Sequence, residues 1–158
     1  MELPDLATAE PFATLKIEGG ASAALVVADG GGTFAQARIA VSEADVECFD
    51  VPNFVIARLS REPVVEWEPF GELVSDGGNA AFFSEEGLAE ANAIEDEMWL
   101  WDKVDDARLP AAIALPSGAI AAYFSVGGDG SFAMSLGRDA QGAPAVFVIE
   151  VPELHLEG

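Results

Sequence analysis

Apolar and polar residues alternate along much of this chain, in short runs separated by Gly, Asp and Pro. Residues 12–18 set Leu15 and Ile17 against Thr14, Lys16 and Glu18, the period of a strand with one wet face. Gly19-Gly20 ends that strand, and Ser22 to Ala28 follows as a nearly continuous apolar run around Leu25, Val26 and Val27. Asp29-Gly30-Gly31-Gly32 should reverse the chain into Thr33 to Val41, where Phe34, Ile39 and Val41 are the expected buried positions and Gln36 and Arg38 face water. Two short strands, Asp45 to Phe49 and Phe54 to Leu59, join through Val51-Pro52-Asn53. Pro63, lacking an amide to donate, introduces Val64 to Trp67 at a strand start or edge. Pro69 to Asp76 reads as irregular, and Asp76-Gly77-Gly78-Asn79 turns the chain into the apolar strand Ala80 to Phe83.

The last third reads as a three-stranded antiparallel meander: Ala119 to Phe124, Ser131 to Leu136 and Ala145 to Val151. Gly127-Gly128-Asp129-Gly130 is the expected first hairpin turn, because glycine reaches positive φ without a Cβ clash. Arg138-Asp139-Ala140-Gln141-Gly142 spells a type I turn closed by glycine. Phe132, Met134 and Leu136 share one face of the middle strand. Phe147, Ile149 and Val151 share a face of the last, but Val146 and Val148 opposite are apolar too, so this strand should be covered on both sides.

The period changes once, at Ser84. Ser84 is placed to cap a helix from Glu85 to about Ala93, with Glu85 and Glu86 at the positive end of its dipole. A second helix over Ile94 to Val104 would bury Ile94, Met98, Trp101 and Val104 and leave Glu95, Asp96, Asp102 and Asp105 wet. Leu109-Pro110 ends it. The expectation is a mainly β (α+β) fold: antiparallel sheets or a β-sandwich-like body with a short helical insertion around residues 85–104. Residues 1–158 should form a single globular domain, with 1–11 an extended N-terminal arm and 152–158 a tail.

Charge narrows the function classes. The chain has 158 residues, 28 acids against 7 Lys and Arg, and a formal net charge of -21. Such a field repels nucleic-acid phosphates and anionic membranes and favours a basic protein partner, although solubility or salt adaptation explains the acid as well. The only cysteine, Cys48, cannot form an intrachain disulfide. The N-terminus has no basic n-region and no run approaches a membrane span, so a cytoplasmic location is expected.

Several stretches carry a family likeness. Phe124-Ser125, then Gly128-Asp129-Gly130 followed by Phe132, then Gly137 and Asp139-Ala140-Gln141-Gly142 before an apolar strand, resemble the C-terminal signature of a bacterial family described as domain of unknown function 4241. Ala37-Arg38-Ile39 through Ser42 to Val46 and Phe49 is similar to that family's strand pair, as is Pro63-Val64-Val65-Glu66-Trp67-Glu68. Asp76-Gly77-Gly78-Asn79 through Phe83 resembles its Gly-rich turn before a helix. The chain departs from the pattern at Val126-Gly127-Gly128, which lacks an aromatic, at Ala133, where a proline is usual, and in its short helical insertion. The resemblance brings no catalytic residues to carry over.

Candidate chemistry is sparse. His155 is the sole histidine and stands near the chain end, which disfavours a Ser-His-Asp or Cys-His arrangement. Cys48 lies beside Glu47, whose charge should raise the thiol pKa, so it reads as a packing residue. One His and one Cys argue against zinc. Asp29, Asp76, Asn79, Asp129 and Asp139 sit in Gly-rich turns where calcium finds oxygen ligands, but they lack EF-hand spacing and turn chemistry accounts for them, so no metal or cofactor is assigned. No glycine run precedes the Gly-Lys-Ser/Thr of a phosphate loop.

Trp99 and Trp101 are two apart and cannot share a helix face, so one should be partly exposed beside Glu97 and Asp102. The candidate binding set is therefore Trp99, Trp101, Glu97 and Asp102, with Asp129 in the Gly-rich turn. The expected function is a non-enzymatic protein-binding module, immunity or antitoxin-like, that docks a basic partner. The alternative is a small-molecule-binding or hydrolytic β-domain using carboxylates at its Gly-rich turns, Asp76 and Asp129 among them.

Overall fold

The computed structural model describes residues 3–18, 23–29, 34–75 and 77–152; of Glu97 the backbone alone is described. His155, Asp76, Gly30 to Gly32 and the tail after Pro152 lie outside the described residues. Two antiparallel sheets face each other. The first, in the order β1-β4-β5-β11-β10-β6, is built from β1 (Ala13–Ile17), β4 (Ala44–Val51), β5 (Phe54–Arg58), β11 (Pro144–Glu150), β10 (Gly130–Arg138) and β6 (Glu66–Ser75). The second, in the order β3-β2-β7-β9-β8, contains β3 (Ala35–Ala40), β2 (Ala24–Asp29), β7 (Asn79–Ser84), β9 (Ile120–Ser125) and β8 (Ala111–Ala114). The fold is β-rich α+β.

Alternation along the strands builds the core between the sheets. Leu15 and Ile17 of β1, Leu25 and Val27 of β2, Phe82 of β7, Phe124 of β9, Leu136 of β10 and Phe147 and Ile149 of β11 all turn into it. Phe82 stacks on Phe124 at 5.1 Å and meets Phe147 edge-on at 6.3 Å, so one aromatic seam joins both sheets. The outer faces are covered as well. Leu3, Leu6 and Ala9 of the N-terminal arm, with Val64 and Trp67, pack on Phe49, Ile56, Val146 and Val148 of the first sheet. This is why β11 is apolar on both sides.

The outer face of the second sheet, with Val26, Ala81, Phe83 and Tyr123, is roofed by α1 (Glu85–Ala93) and α2 (Glu97–Asp106). Ser84 caps α1 by accepting from the Gly87 amide at 2.9 Å, and Asp96 caps α2 by accepting from the Met98 amide at 3.0 Å. Helix α2 thus starts later than its sequence suggests, and its buried stripe is also not the expected one. Leu100, Val104 and Ala107 pack toward the sheet, whereas Met98, an expected core residue, is exposed.

The final third is not a meander. Strand β9 pairs with β7 and β8 in the second sheet, whereas β10 pairs with β11 and β6 in the first. The Gly127–Gly130 turn therefore crosses from sheet to sheet, and only β10 and β11 form a hairpin. Its partner arch, between β6 and β7, lies against it: the Val126 amide donates to the Gly78 carbonyl at 2.8 Å, and a Cβ on Gly78 would come within 3.4 Å of the Gly128 backbone. Gly78 holds a φ of +78°, a conformation that favours glycine.

Three further expectations are corrected. Phe34 is 72% exposed. Residues 69–75 are part of the ten-residue strand β6. As an edge strand, β6 tolerates Pro69, and a register shift opposite Met134 absorbs Phe70 and Gly71, whose φ is +84°. Phe70 is thereby turned onto Phe147, 5.7 Å away and edge-on. Gln36, expected to face water, is the extra residue where the β2–β3 register shifts. Its carboxamide donates to the Val74 carbonyl at 2.6 Å and accepts from the Val74 amide at 2.7 Å, tying the edge of β6 to the other sheet.

Candidate docking surface

Helix α2 presents two faces with different chemistry. Met98, Trp101, Asp102 and Asp105 fall at positions i, i+3, i+4 and i+7, so they form one stripe. Met98 is 56% exposed. Trp101 is half-buried yet belongs to none of the apolar clusters among the described residues. Glu95, Asp96, Asp102, Asp105 and Asp106, on and just before the same helix, are exposed. Trp99 differs: it packs at the rim of the apolar cluster beneath the helices, and the Lys103 ammonium sits 5.5 Å from its ring centroid.

Of the five residues singled out in the sequence, Trp101 and Asp102 therefore share the exposed stripe, and Trp99 anchors the helix from its flank. The Glu97 side chain lies outside the described residues. Asp129 does not join them. Helix α1 is pinned near the start of β9, where Glu90 accepts from the Ser117 amide at 2.7 Å and its hydroxyl at 2.6 Å, whereas Asp129 follows the far end of that strand. Sequence reasoning placed Met98 in the buried stripe with Val104, and periodicity alone does not say which of the neighbouring stripes through Val104 faces the sheet.

The cations are mostly committed elsewhere. Arg58 and Arg61 both bind Glu47, at 2.8 and 3.3 Å, Arg138 binds Glu68 at 2.9 Å and Arg38 binds Glu85 at 2.9 Å. The Glu85 carboxylate, hydrogen-bonded to Arg38, raises the guanidinium pKa further. On the helical roof Arg38 pairs with Glu85, and Lys103 and Arg108 are the other basic groups there among the described residues, so the acids still outnumber the bases.

The remaining chemistry is quiet. The Cys48 thiol is fully buried, and burial, helped by the charge of Glu47, pushes its pKa up to about 12. A thiol so poor in thiolate is no nucleophile. An open cleft of about 230 Å³ near the β10–β11 turn is lined by Ser42, Glu43, Ser60, Glu62 and Asp139. Asp139 is already engaged there, its Oδ1 accepting from the amides of Gln141 and Ala143, both at 2.9 Å. The described residues contain no group of three or more His, Cys, Asp or Glu able to hold a metal, and no helix among them is long and apolar enough to cross a membrane.

Comparison with protein-family models, with curated proteins and with solved structures gave no significant match.

Proposed function

We propose that the chain is a non-enzymatic binding module, immunity or antitoxin-like in manner, whose α2 face docks a basic protein. The observation that carries this reading is the exposed Met98 and half-buried Trp101, outside the apolar clusters and on one helix stripe with the exposed Asp102 and Asp105. An apolar centre with a charged surround is how a docking patch combines contact energy with steering. Methionine adapts to the shape of its partner, and an indole face accepts a lysine or arginine, as Trp99 accepts Lys103. The matching surface is amphipathic, with Lys and Arg flanking a small apolar knob. The buried Cys48 and the engaged Asp139 fit this reading better than a hydrolytic one.

The test is pull-down from the native host with wild type, Trp101→Ala, the double variant Asp102→Lys/Asp105→Lys, and Glu72→Lys as a control on the opposite sheet. A genuine partner is retained by wild type and the control at low salt, released by high salt and lost with both α2 variants. A captured protein insensitive to those variants, or no capture at either salt, sinks the proposal.

A further inference from the structure

Three chain reversals frame the open cleft of about 230 Å³ at one end of the first sheet: the β3–β4 connection with Glu43, the exit of β5 with Leu59 and Glu62, and the β10–β11 turn with Asp139. Backbone bonds fix its walls. The amides of Leu59 and Ser60 both donate to the Ala145 carbonyl, at 2.8 and 3.1 Å, so the β5 exit is held against the start of β11. The Asp139 amide donates to the Ala143 carbonyl and the Gly142 amide to the Asp139 carbonyl, both at 2.9 Å, which closes the turn.

Turn chemistry accounts for one oxygen of Asp139 and not for the other. The side chain is only 8% exposed, and its Oδ1 accepts from the Gln141 and Ala143 amides. That leaves Oδ2, with no partner among the described residues, as the acceptor this wall offers the cleft. Glu43 and Glu62 stand exposed on the other two walls. No ion pair among the described residues includes any of the three: the adjoining Arg61 turns to Glu47 at 3.3 Å, and Arg138 turns to Glu68 at 2.9 Å. A carboxylate drawn out of water without a cation gains from one that arrives.

The kind of cation follows from the rest of the lining. No group of three or more His, Cys, Asp or Glu among the described residues is arranged to hold a metal ion, so these carboxylates do not converge on a point charge. The same cleft presents the apolar side chains of Val41, Leu59 and Pro144. We propose that it binds a primary ammonium carried on a short alkyl stem, with Asp139 Oδ2 as the acceptor and Glu43 and Glu62 supplying the surrounding field. The stem lies against the apolar side chains, as a lysine stem lies along apolar surface while its head stays polar. A volume below the roughly 300 Å³ at which ligand pockets usually begin fits a group of this size. A free diamine and the side chain of a lysine on another protein share this chemistry. The site is separate from α2 and does not depend on the docking reading.

The experiment follows the amide resonances of Gln141, Gly142 and Ala143 in the full-length protein at constant, near-physiological ionic strength. The titrants are 1,4-diaminobutane, lysine blocked at its α-amino and carboxyl groups, and tetramethylammonium, a cation without N–H donors. Saturable shifts are expected with both primary ammonium probes, on the order of 10⁻³ M for ligands this small, and not with tetramethylammonium. Tighter binding of the diamine marks a free ligand, and tighter binding of the blocked lysine marks a protein side chain. Asp139→Asn keeps an oxygen for the two turn amides but replaces the free oxygen with a donor, so it should weaken binding roughly 10-fold or more and leave the melting temperature nearly unchanged. Glu43→Gln and Glu62→Gln should each weaken it measurably, and Glu72→Gln should not. If Asp139→Asn does not fold, the double variant Glu43→Gln/Glu62→Gln carries the comparison. No saturable shift with either ammonium probe, binding equal in wild type and the cleft variants, or equal binding of tetramethylammonium overturns the proposal and returns the cations to the general acidic surface.

Discussion

At the residue scale the clearest predictions concern groups that burial has silenced. The Cys48 thiol has a folded pKa of about 12 against an ordinary value of 9.0, because ionising it would place charge in the sandwich core. Native protein at pH 8 should therefore resist thiol reagents that label it at once in denaturant; rapid native labelling would contradict the burial. The same shift has a pH consequence. A folded pKa above the unfolded one means the contribution to stability is complete below pH 9.0 and is lost as pH climbs through about 12. Tyr123, raised in the same direction, adds to the loss from its own ordinary value of 10.0 upward. Urea midpoints should hold steady up to pH 9 and fall beyond it, and Cys48→Ala should soften the early part of that fall. Gln36 supplies a different prediction. Replacing it with Ala removes both hydrogen bonds to Val74, which water can reach, so a loss of roughly 0.5–1.5 kcal/mol is expected in urea denaturation. A loss no larger than that of Arg38→Ala would show that the tie between sheets contributes little.

At the element scale, α2 separates what periodicity reveals from what it hides. Leu100→Ala should cost about 1–3 kcal/mol, because that half-buried side chain packs against the cluster above the second sheet, whereas Met98→Ala should stay within about 0.5 kcal/mol. Equal costs would restore the face read from the sequence. Both assignments use the same spacing rule and both run through Val104, so periodicity alone does not choose between them. Strand existence was legible because turn residues punctuate the chain: Gly-containing turns predict the β2–β3 and β10–β11 hairpins, and Val51-Pro52-Asn53 predicts β4–β5. What the turns do not encode is which sheet the next strand joins. Gly127 to Gly130 reverses the chain as expected, yet β10 finds its partner in β6, an element written off locally because of Pro69 and Gly71. Edge position and a register shift excuse both residues, and neither is visible until the sheet is assembled. The short strand β8, Ala111–Ala114, left no pattern to read, since three of its four residues are alanine. Of the site, Trp101 and Asp102 were legible from composition and spacing, while the exposure of Met98 depends on how α2 lies on the second sheet.

At the scale of the whole molecule, the question is whether the acid serves a partner or only the solvent, and ionic strength separates the two. Four arginines are spent on three glutamates, so most of the charge of -21 is repelled by itself in the compact state. Raising sodium chloride from ~10 mM to ~1 M shortens the screening length from about 30 Å to about 3 Å, which should relieve that repulsion and raise Tm by roughly 2–4 °C for each kcal/mol recovered. The Arg58–Glu47 pair, partly shielded by the sandwich, is screened less and should oppose the trend only weakly. Chloride is the right salt, because sulfate would stabilise any fold by exclusion from its surface. Self-repulsion is a property of the total charge, so Asp102→Lys/Asp105→Lys should raise Tm at low salt and flatten the salt dependence about as much as a matched pair of reversals on the first sheet. Docking is a property of place, so only the α2 pair should abolish partner binding. If both pairs change Tm alike and neither changes binding, the acid on α2 is solvation; if binding alone distinguishes them, the roof helix was selected for its partner.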